Sequence, residues 1–365
     1  MPRVLLLTSH PVQGRDGADK EISLGLLQNN LDVDYTWVNR AGSRQLAEAG
    51  GTRLTIISLR GTPGLLERMQ TALLGLLHER RVDLVHVVST IGPGFRSYSR
   101  LRAVLGRAGL PVVHTVPGFA RPEHLMDARP LGLTVAVSTA TQAALVAAGF
   151  GAVRCIPSGI SLSRWPMARP EVHPRSVVLF SGHHDPGGGA HEVLAAAAQL
   201  EAGGTPIRLV LALRSRGGGR EREARFVLEE ARRLGLSSVA VHGRVLDMPR
   251  LVAGCDILVF PPAQLVGGKA DVPLVVLEAL ATGRPVVVTD LPQFGALAEA
   301  VVRVPVAEPG VLATTLAGLL ADPVRCAALA HHGRHLVEQE FSAALMAARY
   351  RTLYDELLGS AARLR

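Results

Sequence analysis

The sequence predicts an α/β protein made of two doubly wound domains, each with a parallel sheet between layers of helices. A chain of 365 residues is long for one hydrophobic core and suits two domains. Short segments rich in Val, Ile and Leu alternate with helical patterns throughout, as in parallel sheets that are buried on both faces. Pro166, Pro170 and Pro174 mark residues 166–174 as an interdomain linker of limited flexibility.

Before this linker, the apolar segments are short and bounded by polar or turn residues. The first, RVLLLTS at 3–9, has an apolar run of only four residues, so we interpret it as a strand rather than a signal peptide. Further strands are expected at 33–38, 54–59, 83–90, 110–119 and from residue 133, with helices from near residue 19, over 64–80, from about residue 96 and after an N-cap at Ser138 or Thr139.

After the linker, the alternation of strand and helix continues. Strands are expected at 176–182, 208–214, 239–245, 255–260 and 286–288, each followed by a helical pattern, and a last helix is expected to begin near residue 341.

One helix in this half carries a carboxylate among apolar residues. Leu274, Leu277 and Leu280 recur at helical spacing around Glu278, and a glycine and a proline at 283 and 285 end the helix. A helix that follows a strand begins at the carboxyl edge of an open α/β sheet, where ligands bind. The sequence therefore places Glu278 close to a ligand site.

The composition excludes several classes of protein. Hydrophobic residues make up 48% of the chain and charged residues 19%, which excludes a disordered chain. No apolar run reaches 18 residues, so no membrane-spanning helix is expected. Cys155, Cys255 and Cys326 are far apart and lack the spacing of metal ligands, so we expect free thiols in the cytoplasm.

The net charge of +8 is concentrated in the first half of the chain. Residues 1–160 contain 17 Lys and Arg against 11 Asp and Glu, an excess of +6. Such a surface suits peripheral contact with an anionic membrane or a phosphorylated acceptor, and the alternative is an arginine-rich surface that is only solvated. Aromatic residues make up only 4% and do not alternate with basic ones, so no nucleic acid partner is expected.

The segment 277–288, LEALATGRPVVV, resembles the donor-binding region of retaining nucleotide-sugar glycosyltransferases of the GT-B fold, family 4 type. The Asp-x-x-His strand at 83–86, the segment IPSGISLSRW at 156–165 and the last helix extend this resemblance over nearly the whole chain. It implies two Rossmann-like domains that face a cleft. Residues 1–165 and a returning helix at 342–365 would bind the acceptor, and residues 175–341 would bind the nucleotide sugar.

The resemblance also implies roles for individual residues. Glu278 would accept hydrogen bonds from the ribose hydroxyls of the nucleotide, with Leu274 on the same helix. The loop after the first strand, with its glycines, would lie under the donor phosphates, and so would the glycine-rich loop that begins the second domain. The candidate donor-binding residues are Glu278, Leu274, Gly14, Gly17, Gly182, His183, Gly187 and Gly188.

Three positions depart from the family pattern. Pro117 stands where the family has a histidine, and His114, three residues earlier, points to the other face of its strand. The loop HHDPGGG lacks the Arg and Lys that hold the donor diphosphate, and Ala270 replaces the first glutamate. Lys269, Asp271 and Arg214 are therefore the candidate catalytic residues, because they place charge at the same sheet edge. Arg214 is equally compatible with a solvated basic loop.

Two histidines in the chain have competing interpretations. His86 is expected to be a packed polar residue rather than a ligand. His183 and His184 are adjacent, which suggests a metal, but successive side chains at a strand end diverge and no third ligand lies at useful spacing. The sequence therefore predicts no metal site.

The resemblance implies a retaining glycosyltransferase that moves a sugar from a nucleotide sugar to a glycan, a lipid-linked acceptor or a small molecule. It implies no cofactor and no essential metal, and a place in polysaccharide or glycolipid biosynthesis in the cytoplasm or at the inner face of the membrane. The missing residues leave two alternatives. One is an inactive relative that binds nucleotide or partners another transferase, and the other is a GT-B nucleotide-sugar epimerase.

Overall fold

The computed structural model describes residues 1–8, 17–40, 54–59, 73–92, 95–118, 123–126, 128–184, 187–214, 220–243, 245–264 and 272–363. The described residues form two compact units. Unit 1 comprises those within Met1–Ser161, Gly267–Leu274 and Glu340–Arg365, and unit 2 those within Leu162–Val266 and Val275–Gln339.

Strands and helices alternate along the described chain. The strands are β1 (Arg3–Thr8), β2 (Asp34–Arg40), β3 (Leu54–Leu59), β4 (Leu84–Val88), β5 (Val112–Val116), β6 (Leu133–Ala136), β7 (Val153–Cys155), β8 (Val177–His183), β9 (Arg208–Arg214), β10 (Val239–His242), β11 (Ile257–Phe260), β12 (Val286–Thr289) and β13 (Val302–Val304). The α-helices are α1 (Ala18–Asn29), α2 (Phe95–Leu105), α3 (Glu123–Met126), α4 (Thr139–Ala147), α5 (Ala190–Ala202), α6 (Arg220–Arg233), α7 (Met248–Ala253), α8 (Leu274–Ala281), α9 (Pro309–Leu320), α10 (Pro323–Glu340) and α11 (Ala343–Arg363).

Unit 1 is built on a parallel sheet of seven strands in the order β3-β2-β1-β4-β5-β6-β7. Strands β4 and β5 are fully buried, and β1 is buried from Val4 onwards, because helices cover both faces. This burial explains their largely apolar sequence. The helix α4 begins at Ser138, whose side chain accepts a hydrogen bond from the Thr141 N–H at 3.0 Å, as expected for an N-cap. Most of the helix expected over 64–80 lies outside the described residues.

The last helix, α11, packs on the sheet of unit 1 through a buried polar network. The two ring nitrogens of His86 on β4 are hydrogen-bonded to the Tyr354 hydroxyl at 2.6 Å and to Thr115 Oγ1 at 2.7 Å. Thr115 Oγ1 is also hydrogen-bonded to the Tyr350 hydroxyl at 2.7 Å. Because all four side chains are buried, these bonds fix the position of the helix on the sheet. The interpretation of His86 as a packed polar residue is confirmed.

Unit 2 contains a parallel sheet of six strands in the order β10-β9-β8-β11-β12-β13. One face packs against α5 and α9, with Val193, Leu194 and Leu316 in the buried core. Strand β10 ends at His242, three residues before the predicted end. With two parallel sheets flanked by helices, the prediction of a two-domain α/β fold is confirmed.

Two arginines attach the start of the proline-rich segment to unit 2. The buried Arg284 guanidinium donates to the carbonyls of Ala168 at 3.2 Å and Arg169 at 2.9 Å. Arg334 Nη1 donates to the carbonyls of Trp165 at 2.9 Å and Ala281 at 2.8 Å. Charge-assisted bonds of this kind are about twice as strong as neutral ones. The beginning of the predicted linker is therefore part of unit 2.

No single helix among the described residues is long and apolar enough to cross a membrane. Taken together, α9 and α10 have the length and composition of a membrane span, but the two helices are bent by 99° relative to each other. Leu312, Leu316 and Leu319 of α9 are buried in the core of unit 2.

We expect the free energy of unfolding to fall as the pH decreases below about 6.5, the ordinary pKa of histidine. Burial lowers the pKa of His86 to about 3 and that of His114 to about 4. Both rings therefore stay neutral in the folded chain while they protonate in the unfolded chain. Each histidine should remove up to about 1.4 kcal/mol per pH unit between its two pKa values.

Urea unfolding between pH 7 and pH 5 measures this dependence. His114→Gln keeps an amide group near Ser89, the hydrogen-bonding partner of His114. It should reduce the slope of the free energy of unfolding against pH. The exposed His332→Gln should leave it unchanged. Equal slopes in all three proteins would contradict the assignment.

Candidate active site at the sheet edge of unit 2

The carboxyl ends of the central strands of unit 2 meet at one edge of the sheet. Strand β8 lies between β9 and β11, and all three are parallel. In this register His183 pairs with Arg214, the last residue of β9. In open α/β sheets ligands bind outside the carboxyl ends of the strands. This edge is therefore the candidate site.

A glycine-rich loop leads from β8 into α5 and is held by the loop after β11. Ala263 N–H donates to the Gly187 carbonyl at 2.9 Å, which joins the two loops. Gly189 caps α5 in a left-handed conformation, with φ of 96°, and a Cβ there would lie 2.7 Å from the Pro261 carbonyl oxygen. Only glycine fits both the conformation and the close approach.

This arrangement leaves the start of α5 suited to an anion. Gly189 has no side chain that could cap the helix, so the first backbone N–H groups of α5 receive no side-chain hydrogen bond from that residue. These N–H groups and the positive end of the helix dipole favour a negative group. Of the predicted residues, Gly182 and His183 are the last two of β8, and Gly187 and Gly188 come just before Gly189 at the helix start.

The helix α8, which carries Glu278, follows the loop after β11. Leu277 and Leu280 are buried and fix the helix on the core, while Leu274 and Glu278 are half-buried and lie one turn apart. Gly283, with φ of 74°, ends the helix as predicted. On the next strand, Thr289 Oγ1 donates to the Pro262 carbonyl at 2.6 Å, which ties the end of β12 to the loop after β11.

The remaining predicted residues have different positions. Gly14, Lys269 and Asp271 lie outside the described residues, and for Arg214 the structure describes the backbone. Gly17 belongs to unit 1, where it precedes α1 with φ of 136°. The first turn of α1 contains Asp19 and Glu21, whose carboxylates already complement the positive end of that helix. The first turn of α5 contains one carboxylate, Glu192, against two in α1, so the start of α5 is the stronger candidate for binding phosphate.

The position occupied by histidine in the family is Pro117 in this chain, and nearby His114 is part of the core. Its Nε2 is hydrogen-bonded to Ser89 Oγ at 3.0 Å, and its ring stacks on Phe95 with 4.9 Å between centroids. The side chain is fully buried, so the prediction that His114 cannot replace the missing histidine agrees with its packing.

A group that sequence spacing did not reveal lies beside the glycine-rich loop. His184, His191 and Glu230 each offer a ligand atom, and these atoms lie within 4.8 Å of one another. This cluster contains His184 but not His183, so it differs from the adjacent pair considered in the sequence, and the absence of a metal site stays a prediction. Sequence spacing does not reveal the cluster because His191 and Glu230 come from α5 and α6, which the fold brings against the end of β8.

One family model matches a part of the chain that lies mostly in unit 2. Residues 175–322 match the family model described as glycosyl transferases group 1. This range contains both loops of the candidate site and the helix with Glu278. No curated protein sequence matches the chain.

Several solved structures resemble the whole chain in fold. HepE from Anabaena, in complex with UDP and glucose, has 18% identity and a TM-score of 0.75 and covers 97% of this chain and 100% of its own. A glycosyltransferase from Rickettsia africae has 15% identity, a TM-score of 0.76 and 98% coverage of both chains. Sucrose-phosphate synthase from Thermosynechococcus elongatus has 19% identity and a TM-score of 0.75, and the match covers 99% of this chain and 100% of the synthase chain. The prediction of a GT-B fold is confirmed, and residues 175–322 match the predicted family.

We expect Gly189→Ala to destabilise the chain more than Gly187→Ala does. Both residues have left-handed φ angles, 96° and 77°, so both substitutions introduce roughly 1–2 kcal/mol of backbone strain. Only at position 189 does the added Cβ meet backbone atoms of Pro261, whereas at 187 it makes ordinary contact with Ala263 at 3.6 Å. Urea unfolding of the two variants measures the difference. Equal losses would show that the close approach of the two loops is not required.

Proposed function

We propose that this chain, whose residues 175–322 match the model of group 1 glycosyl transferases, transfers a sugar from a nucleotide sugar to an acceptor with retention of the anomeric configuration. The observation that best supports this reaction is the start of α5 at the edge of the sheet, where a glycine-rich loop presents backbone N–H groups to an anion. HepE has been crystallised with UDP and with UDP-glucose, so UDP-sugars are the first donors to test.

In the proposed reaction, the bond between the anomeric carbon and the diphosphate oxygen breaks, and an acceptor hydroxyl attacks the same face of the sugar. The leaving diphosphate takes the proton of that hydroxyl, so no separate general base is needed. Its growing negative charge is stabilised by the N–H groups at the start of α5 and by protein cations. The reaction then needs no metal and no cofactor.

The proposed cations are Lys269 and Arg214, with Lys269 first. Arg214 ends β9 directly beside His183, next to the strand that leads into the glycine-rich loop. Lys269 and Asp271 occupy the positions around the family's first glutamate, and a lysine stem is long enough to reach inward. Backbone N–H groups alone are insufficient for a diphosphate that carries about two to three negative charges.

The nucleotide is proposed to bind along α8. Glu278 accepts hydrogen bonds from the ribose hydroxyls, and Leu274, one turn earlier, contacts the bound nucleotide. Both side chains are half-buried, which leaves part of each accessible to a ligand. Gly14 and Gly17 in unit 1 are proposed to let the backbone approach the donor phosphates from the first loop.

The acceptor is proposed to be a glycan, a lipid-linked sugar or a small molecule bound by unit 1. The excess of basic residues in the first half supports peripheral contact with anionic lipid at the inner face of the membrane. A cytoplasmic role in polysaccharide or glycolipid biosynthesis follows from such an acceptor.

One alternative function, that of an inactive relative, is supported by an observation of its own. Pro117 and Ala270 replace two residues of the family pattern, and the glycine-rich loop lacks its Arg and Lys, as an inactive nucleotide-binding relative would. A nucleotide-sugar epimerase of the same fold is the other alternative. A panel of UDP-, GDP- and ADP-sugars separates the three, assayed for release of nucleoside diphosphate with and without chelator. Release supports transfer, binding without turnover supports the inactive relative, and an altered sugar without transfer supports the epimerase.

We expect Glu278→Gln to weaken nucleoside diphosphate binding by about tenfold to a hundredfold. The substitution keeps the shape of the side chain but removes the charge that strengthens hydrogen bonds to the ribose hydroxyls, and such bonds contribute roughly 1.5–3 kcal/mol. Calorimetry measures the affinity. The exposed Glu299→Gln is the matched control and should bind like the unaltered chain. Unchanged affinity in Glu278→Gln would remove this role.

We expect Lys269→Ala to reduce turnover far more than it weakens nucleoside binding, because its contact with the diphosphate strengthens in the transition state. Comparison of kcat with the dissociation constant of the nucleoside separates the two effects. A loss in Arg214→Ala alone would transfer the role to the arginine. If neither variant of an active enzyme is affected, the assignment of the phosphate-binding cations is wrong.

A further inference from the structure

We infer that His184, His191 and Glu230 form a binding site for one divalent transition-metal ion, with zinc the best match. Their ligand atoms lie within 4.8 Å of one another, and all three residues are half-buried. All three belong to unit 2, and none is needed for the reaction proposed above. The metal site and the proposed function can therefore be tested independently of each other.

The fold brings these residues together from three different elements. His184 follows the last residue of β8, His191 is the second residue of α5, and Glu230 lies in the last turns of α6. His191 Nδ1 is already hydrogen-bonded to Glu230 Oε1 at 3.0 Å, and the centroids of the two histidine rings are 5.2 Å apart. Small side-chain rotations are enough to bring the three groups to one ion.

Two polar atoms in this cluster lack any hydrogen-bond partner in the described part of the chain. They are His184 Nε2 and Glu230 Oε2, and both are shielded from solvent. A buried polar atom without a partner destabilises a fold by about 1–3 kcal/mol, and more when the group is charged. A cation bound between them would satisfy both atoms. This is the observation that points to a ligand rather than to a chance cluster.

The chemistry of the ligand set favours zinc over magnesium or calcium. Two imidazoles and one carboxylate are established zinc ligands, at about 2.0–2.2 Å, and leave a fourth position for water. Magnesium and calcium prefer oxygen ligands alone. Of the neighbouring groups, Phe226 packs its ring edge to face with His184 at 5.2 Å, and Arg233, 4.0 Å from Glu230, is largely exposed. Neither group occupies the space between the ligands.

A bound ion would connect the start of the glycine-rich loop to the first turn of α5 and to α6. Residues 184 and 191 flank this loop on both sides, so the ion would fix its ends. We therefore assign the ion a structural role, which is expressed in stability and does not require substrate.

The test uses the full chain after chelator treatment and dialysis, titrated with zinc chloride in a calorimeter. We expect one ion per chain, a higher midpoint of thermal unfolding with zinc, and visible absorption from four-coordinate Co²⁺ in place of zinc. Glu230→Gln should weaken zinc binding by about tenfold or more, because a neutral amide is a poor zinc ligand, and should lose the thermal shift. His184→Gln should do the same, and it serves as a second variant if Glu230→Gln does not fold.

The control addresses another histidine pair in the chain. His331 and His335 are exposed one turn apart on α10, a spacing that can also bind zinc. The double variant His331→Gln/His335→Gln should keep the ion and the thermal shift. Loss of binding in that variant alone, equal affinity in the unaltered chain and the Glu230 and His184 variants, or no binding to the unaltered chain would overturn the inference.

Discussion

The candidate site depends on the contact between the loop after β8 and the loop after β11. A backbone hydrogen bond from Ala263 to Gly187 joins them, and Gly189 approaches the Pro261 carbonyl so closely that no side chain fits. This contact sets where α5 begins and therefore where its N–H groups point. The absence of a lysine or arginine in the loop makes that backbone geometry more important, because the first contribution to phosphate binding must come from the helix start.

Within each unit, buried polar contacts hold neighbouring elements together. In unit 2, Arg284 and Arg334 bind carbonyl groups of the chain that enters the unit and of the end of α8. In unit 1, His86 and Thr115 hold the last helix through Tyr350 and Tyr354. Such networks define a single arrangement, because a polar group that loses its partner in the core is strongly destabilising.

The fold could be predicted because the sequence patterns that indicate strands and helices are local. The metal-ligand cluster could not be predicted from the sequence. Apolar runs and caps such as Ser138 and Gly283 depend on neighbouring residues, so most predicted strands agree with the structure to within a few positions, whereas β7, β13, α9 and α10 were not predicted. His184 and Glu230 are separated by α5, β9 and most of α6, so only the tertiary structure brings them together. Arg284 formed part of the recognised segment, yet its burial and its contacts could not be deduced from that position.

Hydrogen exchange of the unaltered chain with and without UDP tests the central claim most directly, namely that the start of α5 binds the donor diphosphate. We predict slower exchange of the backbone amides from Gly187 to Val193 when UDP is bound, because the phosphates would accept hydrogen bonds from those groups. UDP binding by calorimetry with unchanged exchange over these residues would contradict the account.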